Sequence, residues 1–135
     1  MGEYQFTTYR EAHARIENIG RGLLTIGVNP GDRILIFAET RPEWLLSAFA
    51  AFRHSLTVVT LYATLGEEAV KHGINESQVS IILTSSDLLS KLEVEEREKK
   101  RKTKQLNFVF IENLRFDIEY SSCRLFSAGI KIANS

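Results

Sequence analysis

The residues best placed for chemistry are Glu39, Arg41 and Glu43, which follow a short apolar run and open an apolar helix pattern. Paired carboxylates can exchange protons with a substrate, and a guanidinium can bind a phosphate or a carboxylate. The same residues can also form a local ion pair that fixes a strand-to-helix turn. We favour this structural interpretation and assign no catalytic role to the cluster.

Other chemically versatile residues are too dispersed to form a site. His13, His54 and His72 fall in three separate predicted helices, without the spacing of metal ligands. The single cysteine, Cys123, has no partner for an internal disulfide, and we interpret it as a small apolar residue. The basic run at 99–102 resembles a nuclear-localisation or phosphate-binding patch, but we interpret it as a solvated helix end. The sequence therefore predicts no catalytic, cofactor-binding or metal-binding residue.

The composition is that of an ordinary globular domain, with 135 residues of which 44% are hydrophobic. The 17 basic and 17 acidic residues balance, so no overall field attracts nucleic acid. No apolar run reaches the roughly 18 residues of a transmembrane helix, and the first residues lack the apolar segment of a signal peptide. We expect a cytosolic chain without a membrane segment that binds no nucleic acid.

The candidate residues are positioned by alternating strands and helices. Short apolar runs bounded by polar residues predict strands buried in a parallel sheet. The predicted strands cover 33–38, 56–62, 79–84 and 107–111, and a short edge strand covers 3–7. The predicted helices begin at Thr8 and cover about 8–26, 42–54, 67–75 and 87–102. This order predicts an α/β fold, an open, mostly parallel sheet with helices on both faces.

Local signals support several of these boundaries. Thr8 and Glu11 match a capping box, in which a hydroxyl and a carboxylate satisfy backbone donors at a helix start. Gly27 is a typical residue at the end of a helix. The glycines at 20 and 22 lie inside a helical pattern rather than after a strand, which indicates helix packing instead of a dinucleotide loop. The helix that starts at Pro42 is apolar around most of its circumference, so we expect it to be packed on more than one side.

Three separated stretches of the sequence occur in a fixed order: Ala-Glu-Thr-Arg-Pro-Glu-Trp at 38–44, Val-Thr-Leu-Tyr-Ala-Thr-Leu-Gly at 59–66 and Leu-Thr-Ser at 83–85. Together they resemble the N-terminal region of long-chain acyl-CoA synthetases, which belong to the AMP-forming, adenylate-forming enzymes. The sequence of residues 60–66, together with that of residues 73–77, is most similar to the animal branch of the family, which is associated with polyunsaturated acids such as arachidonate. The resemblance runs from about Tyr4 to Ile111. It implies that residues 1–111 form part of the N-terminal AMP-forming synthetase/ligase domain and that residues 112–135 are a divergent tail.

The resemblance implies a two-step ligase in which ATP and a long-chain fatty acid give an acyl-adenylate and pyrophosphate. Coenzyme A then displaces AMP to form the acyl-CoA thioester, and Mg²⁺ accompanies ATP. In the family, a Ser/Thr/Gly-rich loop ending in Pro-Lys-Gly holds the phosphates, downstream of the stretches matched here. We therefore expect this chain alone to bind no cofactor, to be inactive and to self-associate through surfaces that the rest of the enzyme covers. For the complete enzyme the resemblance implies the cytoplasmic face of the endoplasmic reticulum, the mitochondrial outer membrane or a lipid droplet. The chain departs from the family in lacking the membrane-anchoring segment that usually precedes this region.

An alternative interpretation is a free-standing, non-catalytic α/β module that binds a partner or ligand. Its contact would be either the basic run at 99–102 or the Glu39 and Arg41 cluster. Both interpretations predict an inactive chain. They differ in whether the native reading frame continues into the phosphate loop.

Overall fold

A computed structural model describes residues 4–92 and 107–111 of the chain. The helices are α1 (Tyr9–Thr25), α2 (Pro42–Arg53) and α3 (Glu67–Ser77), and the strands are β1 (Arg33–Phe37), β2 (Thr57–Thr60), β3 (Ile81–Thr84) and β4 (Asn107–Phe110). A 3₁₀ turn at Ser86–Leu88 leads into helical residues 89–92. These elements follow the predicted order of strands and helices.

The four strands form one parallel sheet in the order β2-β1-β3-β4. Ile34 of the central strand β1 pairs with Val58 on one side and with Ile81 on the other. Parallel neighbours need crossover connections, and the chain supplies α2 between β1 and β2 and α3 between β2 and β3. The predicted open parallel sheet is confirmed.

Successive residues of β1 point into two separate hydrophobic clusters, one on each face of the sheet. Ile34 and Ile36 belong to the cluster that also contains residues of α1 and α2. Leu35 and Phe37 belong to the cluster that contains residues of α3 and Leu92. Because both faces of β1 are covered, all four of these side chains are fully buried, and helices lie on both faces as expected.

The capping box at the start of α1 is present. The backbone N–H of Glu11 donates to Thr8 Oγ1 at 3.2 Å, and the backbone N–H of Thr8 donates to Glu11 Oε2 at 2.7 Å. At the other end, Gly27 follows the last turn with a φ of 91°, in the left-handed region that glycine adopts without steric cost. The sequence signals at both ends of α1 thus correspond to real caps.

The capping box gives the chain a pH-dependent contribution to stability. The hydrogen bond from the Thr8 backbone N–H, followed by that from its hydroxyl, lowers the pKa of Glu11 below its ordinary value of 4.5. A carboxyl with a lowered folded-state pKa stabilises the fold above the unfolded-state pKa, and the contribution is lost as pH falls through the folded-state pKa. We expect Glu11→Gln to lower the urea midpoint at neutral pH and the difference from wild type to shrink below about pH 4.5.

The matched control is Glu39→Gln, which removes an exposed carboxylate outside any helix. Its difference from wild type is expected to stay small throughout the titration. A Glu11→Gln difference that is constant from neutral to acid pH would contradict the assignment.

Some predicted boundaries were wrong. Residues 4–7 form no strand, and Tyr4 and Phe6 are about nine-tenths exposed because no described strand lies beside them. β2 and β3 are shorter than the apolar runs that contain them, since the flanking residues belong to connections. The predicted helix at 87–102 begins with a 3₁₀ turn at Ser86, and its part beyond residue 92 lies outside the described residues.

No helix within residues 4–92 and 107–111 has the length and apolar character needed to cross a bilayer.

Candidate functional site

The carboxyl ends of β1, β2 and β3 form the edge of the sheet at which a ligand site is expected. The connection after β1 leads to β2, which lies on one side of β1. The connection after β2 passes over β1 and leads to β3, which lies on the other side of β1. Ligands of open α/β sheets bind outside the carboxyl ends of strands at such a reversal. The loops at this edge are 38–41, 61–66 and 85–87.

The loop after β1 carries the three charged residues singled out in the sequence. Arg41 Nε lies 3.2 Å from Glu43 Oε2, and the two side chains are only 25% and 12% exposed. Glu39 is exposed. The structure therefore contains the ion pair that the structural interpretation predicts, between two of the three residues.

This ion pair stands at the first turn of α2. Arg41 is the N-cap residue with extended backbone, and Pro42 follows at the first helical position, where its missing N–H costs nothing. The Glu43 carboxylate lies near the positive end of the helix dipole. One turn later, the buried Ser47 hydroxyl donates to the Glu43 carbonyl oxygen at 2.7 Å. The cluster fixes the direction in which α2 leaves the sheet.

A contact that sequence reasoning missed joins the loop at 61–66 to the helical residues that follow β3. Lys91 Nζ donates to the carbonyl oxygens of Ala63 at 2.7 Å and Leu65 at 3.2 Å. The half-buried ammonium thus holds the loop after β2 against the segment after β3. In the sequence, Lys91 is one lysine among many in a predicted helix, so no local signal marks it.

We expect Lys91→Met to loosen the loop at 61–66. Methionine keeps the apolar stem but removes both donors, and the two carbonyls lose a charge-assisted partner at a half-buried position. The expected cost is about 1–2 kcal/mol of unfolding free energy, with faster amide hydrogen exchange in this loop. Urea denaturation and hydrogen exchange measure the two effects.

The control for this variant is Ser90→Ala, which changes an exposed neighbour on the same helical turn. It is expected to leave exchange in the loop unchanged. Equal exchange rates in wild type and Lys91→Met would show that the two hydrogen bonds do not hold the loop.

The end of β3 contains a buried hydroxyl. Ser85 is 1% exposed, and no hydrogen-bond partner reaches its Oγ within residues 4–92 and 107–111. Its carbonyl oxygen accepts a weak bond from Thr84 Oγ1 at 3.4 Å. Nothing in the sequence marks Ser85 as buried, because the burial of one serine has no sequence signature.

The histidines do not converge. His72 lies on the surface beside Glu76 at 3.1 Å, His13 is exposed, and the ring of His54 packs against Gly20 of α1. No group of three or more potential metal ligands occurs among the residues that the structure describes. Cys123 and the basic run at 99–102 lie outside them.

The loops at this edge are fixed by the Arg41–Glu43 ion pair and by the Lys91 contacts. Comparison with known proteins identifies the family. The sequence profile of the AMP-binding enzymes matches residues 1–122. The chain belongs to this family.

Several relatives within the family are synthetases of acyl-CoA. The chain is 39% identical to "Long chain acyl-CoA synthetase 8" of Arabidopsis thaliana over 121 residues, 90% of this chain and 16% of that protein. It is 45% identical to "Fatty acyl-CoA synthetase A" of Dictyostelium discoideum over 91 residues, 67% of this chain and 14% of that protein. It is 35% identical to "Long-chain-fatty-acid--CoA ligase 5" of Rattus norvegicus over 98 residues, 71% of this chain and 14% of that protein.

Solved structures of CoA ligases share the fold. The anthranilate CoA ligase AuaEII in complex with anthranoyl-AMP matches 78% of this chain and 20% of its own, with a TM-score of 0.70 and 16% identity. The o-succinylbenzoate CoA synthetase of Bacillus subtilis matches 82% of this chain and 21% of its own, with a TM-score of 0.66 and 21% identity. At these identities the likeness shows the fold alone. The chain spans about one sixth of the curated relatives it matches.

Proposed function

We propose that this chain is an N-terminal part of a long-chain fatty-acid–CoA ligase. The observation that carries the proposal is the 39% identity to a plant long-chain acyl-CoA synthetase across 90% of the chain. The 45% identity to an amoebal fatty acyl-CoA synthetase supports the same substrate class. Residues 1–111 are proposed as part of the N-terminal domain, and residues 112–135 as a divergent tail.

In the complete ligase, the fatty-acid carboxylate attacks the α-phosphate of ATP, which gives an acyl-adenylate and releases pyrophosphate. The thiol of coenzyme A then attacks the acyl carbon, which gives acyl-CoA and releases AMP. Mg²⁺ would balance the phosphate charge in the first step. ATP, coenzyme A, a long-chain fatty acid and Mg²⁺ are therefore the proposed ligands of the complete enzyme, and its proposed location is an organelle or lipid-droplet surface facing the cytoplasm.

The contribution of the described residues to this reaction is structural. The Arg41–Glu43 ion pair and the Lys91 contacts fix loops at the carboxyl edge of the sheet, but none of these loops is rich in glycine. A backbone that wraps a triphosphate needs a glycine-rich loop, or a helix N-terminus that follows a glycine-rich loop. We propose that the 135-residue chain alone forms no acyl-adenylate.

The test compares this chain with the longer product of the same gene. Each is supplied with ATP, Mg²⁺ and oleate, and fatty-acid-dependent exchange of labelled pyrophosphate into ATP is measured. We expect exchange only with the longer product, and acyl-CoA formation once coenzyme A is added.

Two outcomes would overturn the proposal. Exchange catalysed by the 135-residue chain would show that it is competent alone. A longer product that binds ATP but adenylates no fatty acid of any chain length would exclude this substrate class.

The isolated chain is also proposed to self-associate weakly. Large apolar side chains remain exposed on its surface, among them Phe49 at 48% and Phe52 at 60%. Sedimentation velocity over a hundredfold range of concentration is expected to show a rising average mass. A monomer with a cooperative thermal transition at every concentration would contradict this expectation.

A further inference from the structure

The strand β2 stands at one edge of the sheet and presents backbone groups that no described strand pairs. In the order β2-β1-β3-β4, β1 lies on one side of β2, and no described strand lies on the other side. The backbone N–H groups of Thr57 and Leu61 donate to carbonyl oxygens of the neighbouring β1 segment. Backbone groups alternate in direction along a strand, so those of Val58 and Thr60 point away from the sheet.

The edge at β2 carries none of the residues that commonly keep exposed strands apart. Natural sheet edges are often protected by charged side chains or proline. No charged residue and no proline occurs from Ser55 to Gly66, a stretch that contains the whole strand. Val58 and Val59 are only half-buried, although each packs against one of the two hydrophobic clusters. β2 therefore offers both backbone groups and uncovered apolar surface to another strand.

We propose that β2 pairs with the β2 strand of a second copy of this chain, antiparallel and across a two-fold axis at Val59. The proposal names the contact behind the proposed self-association and rests on it. In this register Val58 lies opposite Thr60 of the second copy, and the two residues exchange backbone hydrogen bonds. The outward-pointing groups of both strands are then paired, and the same patch serves both copies, as a two-fold interface requires.

The side chains of β2 suit this register. Opposite residues of an antiparallel pair lie on the same face of the sheet, where β-branched pairs stabilise it. Val59 would meet its own counterpart on the α3 side, and Val58 would meet Thr60 on the side of α1 and α2. One short strand buries much less than the roughly 800 Å² per partner of a stable interface, so the dimer is weak. The contact uses the β2 edge of both copies and therefore produces dimers rather than filaments.

The register is tested with single cysteines in the 135-residue chain, with Cys123 changed to serine and oxidised glutathione as the oxidant. Across the proposed axis, the two copies of residue 59 form a non-hydrogen-bonded pair with Cα atoms about 4.5 Å apart, a distance that a disulfide spans. Residue 60 faces residue 58 instead of its own counterpart. We expect Val59→Cys to form disulfide-linked dimers at least about 10-fold faster than Thr60→Cys, although position 60 is the more exposed.

Sedimentation velocity tests whether the edge itself carries the association. Thr60→Lys places a charge on the exposed edge, and we expect it to weaken association by about 10-fold or more. The charge-matched control is Asn75→Lys on the exposed face of α3, which is expected to leave association unchanged.

Three outcomes would overturn the inference. Equal rates of disulfide formation at positions 59 and 60 would exclude the register. Association that survives Thr60→Lys and disappears in Phe49→Ala would assign the contact to the apolar face of α2 and leave the proposed self-association standing. A wild-type chain that stays monomeric at every concentration would overturn both the edge contact and the self-association. The proposed membership of a ligase is tested separately, by the pyrophosphate exchange.

Discussion

Replacing Phe37 with alanine is expected to cost about 3–5 kcal/mol of unfolding free energy and to lower the urea midpoint of the chain accordingly. Phe37 is fully buried in the central strand β1. It packs in the cluster formed with Val70 and Ile74 of α3 and with Leu92. Removal of the ring leaves a cavity between the sheet and this helix, and a chain of this size has only about 5–15 kcal/mol to lose.

The matched control is Phe49→Ala, which removes the same side chain from a surface position that is 48% exposed. In the 135-residue chain this substitution is expected to change stability by no more than about 0.5 kcal/mol, because alanine also favours the helix. Urea denaturation followed by circular dichroism gives both values. Equal losses for the two phenylalanines would contradict the described core.

The second large effect is expected at the contact between α1 and α2. A Cβ atom at Gly20 would overlap the Nε2 and Cδ2 atoms of the His54 ring. Gly20 is buried within α1, and His54 is the C-cap residue of α2, so the His54 ring must turn out of this contact, or the helices must separate, to admit a methyl group. We expect Gly20→Ala to cost about 1–3 kcal/mol although alanine is the better helix former.

The contact can be isolated with His54→Ala, which removes the ring. In that background, Gly20→Ala is expected to be neutral or to stabilise the chain by up to about 1 kcal/mol, since the steric conflict is gone and the helix preference remains. The double-mutant cycle should therefore give a coupling of about 1–4 kcal/mol. Additive effects of the two substitutions would show that the ring does not occupy the space above Gly20.

The parts of the fold that were predictable from the sequence are those specified by local patterns. The apolar run at 33–37 is buried on both faces, and its pattern could be recognised because parallel strands lack the alternation of half-exposed ones. Thr8 and Glu11 are three residues apart, so their capping box is a local event. The Arg41–Glu43 ion pair is local for the same reason.

Features that depend on residues distant in sequence were not predictable. Lys91 contacts carbonyls that lie 26 and 28 residues earlier in the chain, and only the crossing of the sheet brings them together. The close approach of Gly20 and His54 likewise needs α1 and α2 to be packed side by side. The strand predicted at 3–7 failed for a related reason, because an edge strand forms only where a neighbouring strand offers its backbone groups.

For the candidate site, the sequence predicted no catalytic residue, and this stays a prediction. Glu39, Arg41 and Glu43 stand at an edge where ligands of such sheets bind, but the contact observed is an internal ion pair. The buried Ser85 hydroxyl at the same edge escaped notice because its burial depends on the whole sheet. The family could be recognised instead from several short sequence motifs in a fixed order. A single local pattern does not identify a family.

The proposal that this chain is part of a larger fatty-acid ligase can be tested on the native transcript. The measurement is the full-length sequence of the message through and beyond the codon for Ser135. We expect an open reading frame that encodes a Ser/Thr/Gly-rich loop ending in Pro-Lys-Gly, in a protein about six times the length of the matched region. A message that consistently stops after Ser135 would contradict it, and the chain would then be a free-standing α/β module.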